Sequence, residues 1–263
     1  MIDILVPAFA ISLVLLGIHS YFGIRIIQRN IIFTDLAIGQ MAAFGAAVSL
    51  FFYHGRYMYC TSLIFALITG TLISTISKRS AHLEAVIGLL YALGISGVFI
   101  LLSKSPHGME KFQNLMAYDI LFTEMKDVYI TAALYLAIGL LLFIFSRNTK
   151  GNIHDMLFFT AFAATVTSSV KIAGVLVVFA ILLGPTFISI QISHLKRFSG
   201  FIGKNLLACA WIIGTVINMM SITISYYFDF PTGYTLVFFH ALCAVCTAFF
   251  IKTGFGADNK KAG

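Results

Sequence analysis

The chain has 263 residues, 60% of them hydrophobic and only 10% charged, with a formal net charge of +7 and a mean hydropathy of +0.97. A soluble domain carries roughly 25% charged residues, so this composition excludes one and leaves a protein made of membrane-crossing helices. The basic residues sit between apolar runs, with no basic stripe interleaved with aromatics, which points to membrane topology and away from nucleic acid.

In chain order, apolar runs at 4–26, 31–53, 58–77, 84–103, 127–146, 156–169, 171–193, 206–227 and 233–252 predict an all-α polytopic membrane protein. They form one transmembrane domain over 1–263, with no Pro-, Gly- or Ser-rich linker to divide it. The first run holds His19. It lacks the basic start and small-residue cleavage site of a signal peptide, so it is expected to remain as a span. The second, IIFTDLAIGQMAAFGAA, holds Asp35 and Gln40 among small residues that allow neighbouring helices to approach closely. The connector 104–126 is amphipathic: Phe112, Leu115, Met116, Ile120 and Leu121 share a face at helical spacing. It predicts a short helix at the interface or folded back into the bundle.

The stretch 156–193 is the most informative. It is longer than the ~20 residues one crossing needs, is interrupted by Lys171, and carries Gly174, Gly184 and Pro185. It reads as two spans joined at Lys171, giving nine, or as one broken helix, giving eight. Charge decides. With nine spans, N-terminus outside and C-terminus inside, the inner connectors and tail hold twelve of the seventeen Lys and Arg residues, as the positive-inside rule requires. Near the end, Asp229, Pro231 and Gly233 suit a tight turn before a last span that contains His240 and a Cys243–Cys246 pair. No second pair completes a zinc site, so those cysteines read as ordinary packing.

Ionisable groups inside spans usually have a reason to be there. Asp35 is the strongest such candidate, because a buried carboxyl needs a partner or a wet cavity. His19 and His240 are more simply packing histidines. Asp35 and Gln40 lie about 140° apart around a helix, so they need not face one cavity. Glu84 and Asp155, at span entries, suit the helix dipole. There is no phosphate-binding loop, since GFIGKN at 200–205 has the wrong spacing, and no protease or esterase constellation. The chain is therefore expected to be no enzyme.

Five stretches in order resemble the ABC-3 family, the metal-type ABC transporter permeases. RIIQRNIIFTDLAIGQMAAFGAA is similar to the family's R-R-x-x-F-x-x-D-A-L-S-H-A-x-x-x-G-x-A, and EAVIGLLYALGISGVFILLS to its E-A-x-I-G segment. NLMAYDILF is similar to L-x-x-L-F-G-D-I-L, VKIAGVLVVFAILLGPTFIS to G-V-L-L-V-x-A-L-L-x-x-P-A, and YYFDFPTGYTLVF to Y-x-x-D-x-P-T-G-P-x-I-V.

The resemblance implies a homodimeric permease in the cell (inner) membrane of a prokaryote. It implies separate ABC ATPase subunits that hydrolyse ATP, and an extracytoplasmic metal-binding protein. The cargo would be a divalent metal ion, zinc foremost, with manganese or iron as alternatives; no tightly bound cofactor is implied. The metal path would run by Asp35 and Gln40, with His19 and His240 behind them. Gly174, Pro185, Asp229, Pro231 and Gly233 would be structural or gating positions. Asn152, His154, Asp155, Lys196 and Arg197 would dock the ATPase.

Two departures stand out. Gln40 occupies the family's His position, with Asp35 one residue off the family's Asp. The loop 147–155 is shorter than the family's ATPase-docking segment. An ion-coupled secondary transporter using Asp35 is the alternative reading, and a non-transporting assembly subunit is the third.

Overall fold

The computed structural model describes residues 2–77, 82–105, 107–116, 120–148, 152–193 and 205–258. The long helices are α1 (Ile2–Gln28), α2 (Thr34–Tyr53), α3 (Met58–Ile76), α4 (Leu83–Leu102), α6 (Met125–Asn148), α7 (Asn152–Ala173), α8 (Val175–Ser193), α9 (Leu206–Phe228) and α10 (Thr232–Asp258). Between α4 and α6 lie a short helix, α5 (Gly108–Met116), and a 3-10 turn at Ile120–Phe122. Among the described residues nine helices are long and apolar enough to cross a membrane. Large apolar side chains such as Leu89, Leu136, Ile212 and Phe250 are exposed on the outside of the bundle, where lipid rather than water is the neighbour.

The sixth span is longer than the sequence suggests, and the break is not at Lys171. Helix α7 runs the full 22 residues from Asn152 to Ala173. Asp155 in its first turn and Lys171 in its last complement the helix dipole, so neither charge ends it. The turn is the single residue Gly174, at φ 83, a left-handed conformation that glycine adopts without a Cβ clash.

Two spans do result. The Phe22 ring on α1 packs against Phe158 and Phe162 early in α7, while Gly23 lies against Leu182 and Thr186 midway along α8. The chain therefore leaves the C-terminal end of α1 along α7 and returns to it along α8. Eight spans with one broken helix is ruled out by this return.

Close approach is the packing rule of the interior. A Cβ added at Gly45 would sit 2.5 Å from the Thr61 carbonyl, and one at Gly94 would sit 2.8 Å from the Gln40 backbone. These glycines let α2 press on α3 and α4 backbone to backbone, the device expected where apolar lipid supplies no hydrophobic drive. Pro185 lies inside α8, and Gly214 on α9 makes room for its ring and for Leu16. After α9, Asp229 takes the left-handed position (φ 54), and the Ser225 hydroxyl donates to the Phe230 carbonyl at 2.6 Å. Pro231 precedes α10 and Gly233 falls within its first turn, so Asp229 rather than Gly233 makes the reversal.

The connector 104–126 folds back into the bundle. Helix α5 covers about 12 Å, enough to carry Met116 from the outer end of α4 down to the level of Gly94. Met116 and Ile120 are buried there, and Phe112 packs edge-on against Phe99 of α4. The predicted apolar face is real, but it is divided between a helix and a 3-10 turn.

Candidate functional site

Helix α2 is one of the three most buried helices, with α7 and α8, and its polar groups face different neighbours. Gly39 faces Val166 and Val175, beside the Gly174 turn. Asp35, one turn earlier, shares that face by helical periodicity. Gln40 points instead towards α4 and α5: its amide Nε2–H donates to the Met116 sulfur at 3.3 Å, with Gly94 pressed against its backbone. Asp35 and Gln40 are both buried, and among the described residues neither Asp35 carboxyl oxygen nor Gln40 Oε1 has a hydrogen-bond partner. With Thr34 Oγ1 they make four orphan oxygens on one helix, which is costly, and each such buried group calls for an explanation. Met116 is the residue that sequence reasoning left out of the site; its place on the amphipathic face was the only available signal.

His19 lies elsewhere. Its Nδ1–H donates to the Leu15 carbonyl at 2.7 Å, which leaves Nε2 of a neutral ring to accept from the Ser169 hydroxyl at 3.0 Å. With the Ser169 proton on His19, the Tyr135 hydroxyl donates to Ser169 Oγ at 2.5 Å and accepts from Ser168 at 3.2 Å. This buried chain ties α1, α6 and α7 together and leaves His19 no free nitrogen. His240 is the corresponding tie on the other side. Its Nε2–H donates to Asn218 Oδ1 at 2.8 Å, and Asn218 Nδ2 donates to the Ser12 carbonyl at 3.3 Å, joining α10, α9 and α1. Among the described residues there is no group of three or more His, Cys, Asp or Glu placed to hold a metal, and all four cysteines are free thiols.

Gly184 lies directly beneath this second tie. A Cβ there would come 3.0 Å from His240 Nδ1 and 3.1 Å from its Cβ. Gly184→Val is therefore expected to push the imidazole off Asn218 and to destabilise the bundle by about 1–3 kcal/mol. A lower melting temperature in detergent, with Gly88→Ala unchanged as control, is the readout; an added side chain at Gly88 meets nothing within 4 Å.

At the basic end, Arg29 pairs with Asp155 at 3.0 Å and stacks its guanidinium over Phe158, 4.8 Å from the ring centre. His154 Nδ1 lies 3.9 Å from the same carboxylate. Asp155 thus fastens the start of α7 to the end of α1. Asn152 opens α7, while Lys196 and Arg197 lie outside the described residues.

The chain is 25% identical over 280 aligned positions to a Haemophilus influenzae protein named "Probable iron transport system membrane protein", covering 99% of this chain and 95% of that one. Its fold is shared with PsaBC from Streptococcus pneumoniae, solved in complex with Fab, at TM-score 0.73, 19% identity and 93% and 90% coverage of the two chains. It is also shared with an inward-facing conformation of a protein described as a metal-chelate type ABC transporter, at TM-score 0.69, 16% identity and 93% and 85% coverage. Residues 147–251, from the end of α6 to α10, match the ABC 3 transport family. That match covers the C-terminal two fifths of the chain, and the described residues around it form an all-α bundle of nine apolar helices with the fold of the two solved proteins.

Proposed function

We propose that this chain is the membrane-spanning permease subunit of an ABC importer for a divalent metal ion, with iron or manganese preferred to zinc. The observation that carries the proposal is that both Asp35 carboxyl oxygens and Gln40 Oε1 on α2 lack partners among the described residues, with Gln40 at the family's His position and Asp35 one residue from its Asp. A dehydrating cation is the partner such oxygens lack. Carboxylate and amide oxygens suit harder metals than the imidazole they stand beside in the family pattern, which makes zinc the poorer fit.

The permease acts as a homodimer in a prokaryotic inner membrane. Separate ATPase chains hydrolyse ATP, and an extracytoplasmic protein delivers the metal. Asp35 and Gln40 do not form one coordination shell in this conformation. They act as successive oxygen contacts along α2, with Met116 and the re-entrant α5 covering Gln40 from the outer side. Alternating access separates the Met116 sulfur from the Gln40 amide as the ATPases close and open.

The test is cell metal content, measured by mass spectrometry after deletion of this chain and after its restoration. Iron or manganese is expected to fall on deletion and recover on restoration; a fall in zinc alone would contradict the metal preference, and no change in any metal would contradict import. Gln40→His, which puts imidazole at the family position, is expected to raise zinc uptake about tenfold relative to iron, the effect of roughly 1.4 kcal/mol.

A further inference from the structure

Helices α1, α6 and α9 enclose an apolar groove of about 790 Å³ whose walls include Leu13, Gly17, Arg25, Leu136, Gly139 and Trp211. It exists because two positions carry no side chain: a Cβ added at Gly17 or at Gly139 would meet nothing within 4 Å. Trp211 sets the wall by donating its indole N–H to the Gly17 carbonyl at 3.1 Å. From Leu13 to Arg25 the groove runs about 18 Å along α1, slightly more than the ~15 Å of hydrocarbon in one leaflet.

Its walls are apolar until the basic end of α1. There Arg25 is exposed, with its guanidinium 5.7 Å from the Tyr21 ring centre and no carboxylate partner among the described residues. The neighbouring Arg29 is already paired with Asp155, so among the described residues Arg25 is the cation left at the groove mouth.

We infer that this groove is a binding site for an anionic phospholipid of the inner leaflet, one acyl chain lying between α1 and α6 and its phosphate on Arg25. Charge chooses this occupant. An acyl chain alone would fill the apolar part, but only an anionic headgroup places a net negative charge at the unpaired guanidinium, in a leaflet where such lipids gather around basic residues. The inference does not depend on the transport reading.

Trp211 is the one tryptophan in the sequence and lines the groove, so its fluorescence reports occupancy. The full chain is placed in nanodiscs containing phosphatidylglycerol or phosphatidylcholine with brominated acyl chains, which quench an indole on contact. Half-maximal quenching is expected at an about fivefold lower mole fraction of the brominated phosphatidylglycerol, the preference one surface arginine confers. Arg25→Gln, at an exposed helix end, is expected to bring the two curves together. Gly139→Leu, which fills the groove, is expected to weaken quenching by both lipids. Equal quenching of the unaltered chain by both lipids would overturn the inference, as would an indole shielded from both, the result of a second copy's helix in the groove.

Discussion

Asp35→Asn is expected to lower metal uptake by about tenfold or more, the loss of roughly 1.4 kcal/mol of interaction, without lowering the amount of folded protein. The side chain is buried, both its oxygens lack partners, and no described residue depends on it for a hydrogen bond. A residue kept for packing would behave the opposite way. Asn preserves the shape, so uptake would persist if shape were all that mattered. Stability separates the two roles further. Asp35→Leu removes an unsatisfied buried polar group and is expected to raise the melting temperature of the purified protein, by the equivalent of about 1–2 kcal/mol. Higher stability together with lost uptake would show a group held at energetic cost for the cargo. Normal metal accumulation by Asp35→Asn would remove Asp35 from the path.

The second large effect concerns the seam between α1 and α8. An added Cβ at Gly23 runs into the Leu182 carbonyl of the α8 backbone and lies 2.9 Å from the Thr186 hydroxyl. A side chain could rotate away, but a main-chain carbonyl cannot. Gly23→Ala must therefore separate the helices, at a cost of about 1–3 kcal/mol or more. Loss of folded protein in the membrane is expected from this one methyl group, while Gly88→Ala on α4 leaves the yield unchanged. Equal yields from both would show that α1 and α8 are not packed as described.

Some of this was legible in the chain itself. The apolar runs mark the spans because hydrocarbon tolerates little else, and the number nine followed from where the basic residues fell. The sixth helix was undersized because Asp155 and Lys171 lower local hydropathy. At helix ends, however, those charges meet the dipole, and the turn needed only Gly174 with its positive φ. Asp35 stood out as a carboxyl amid apolar residues. The pairings that define its surroundings did not. Gln40 meets a sulfur 76 positions away, and His19 meets a hydroxyl 150 positions away. Neither periodicity nor composition carries information over that separation. The same reason hides the Asn218 partner of His240, 22 positions away on another helix. Gly17 and Gly139 likewise look ordinary in sequence, and only the arrangement of three helices shows that they leave a groove open.

The central claim, ATP-driven metal import through this bundle, is tested most directly by reconstitution. The chain is placed in proteoliposomes with the ATPase that co-purifies with it, and uptake of labelled iron or manganese is followed with ATP or with an imposed proton gradient. The account predicts uptake that requires ATP, survives a protonophore and disappears in Asp35→Asn. Uptake driven by the proton gradient through the chain alone, without any ATPase, would contradict it.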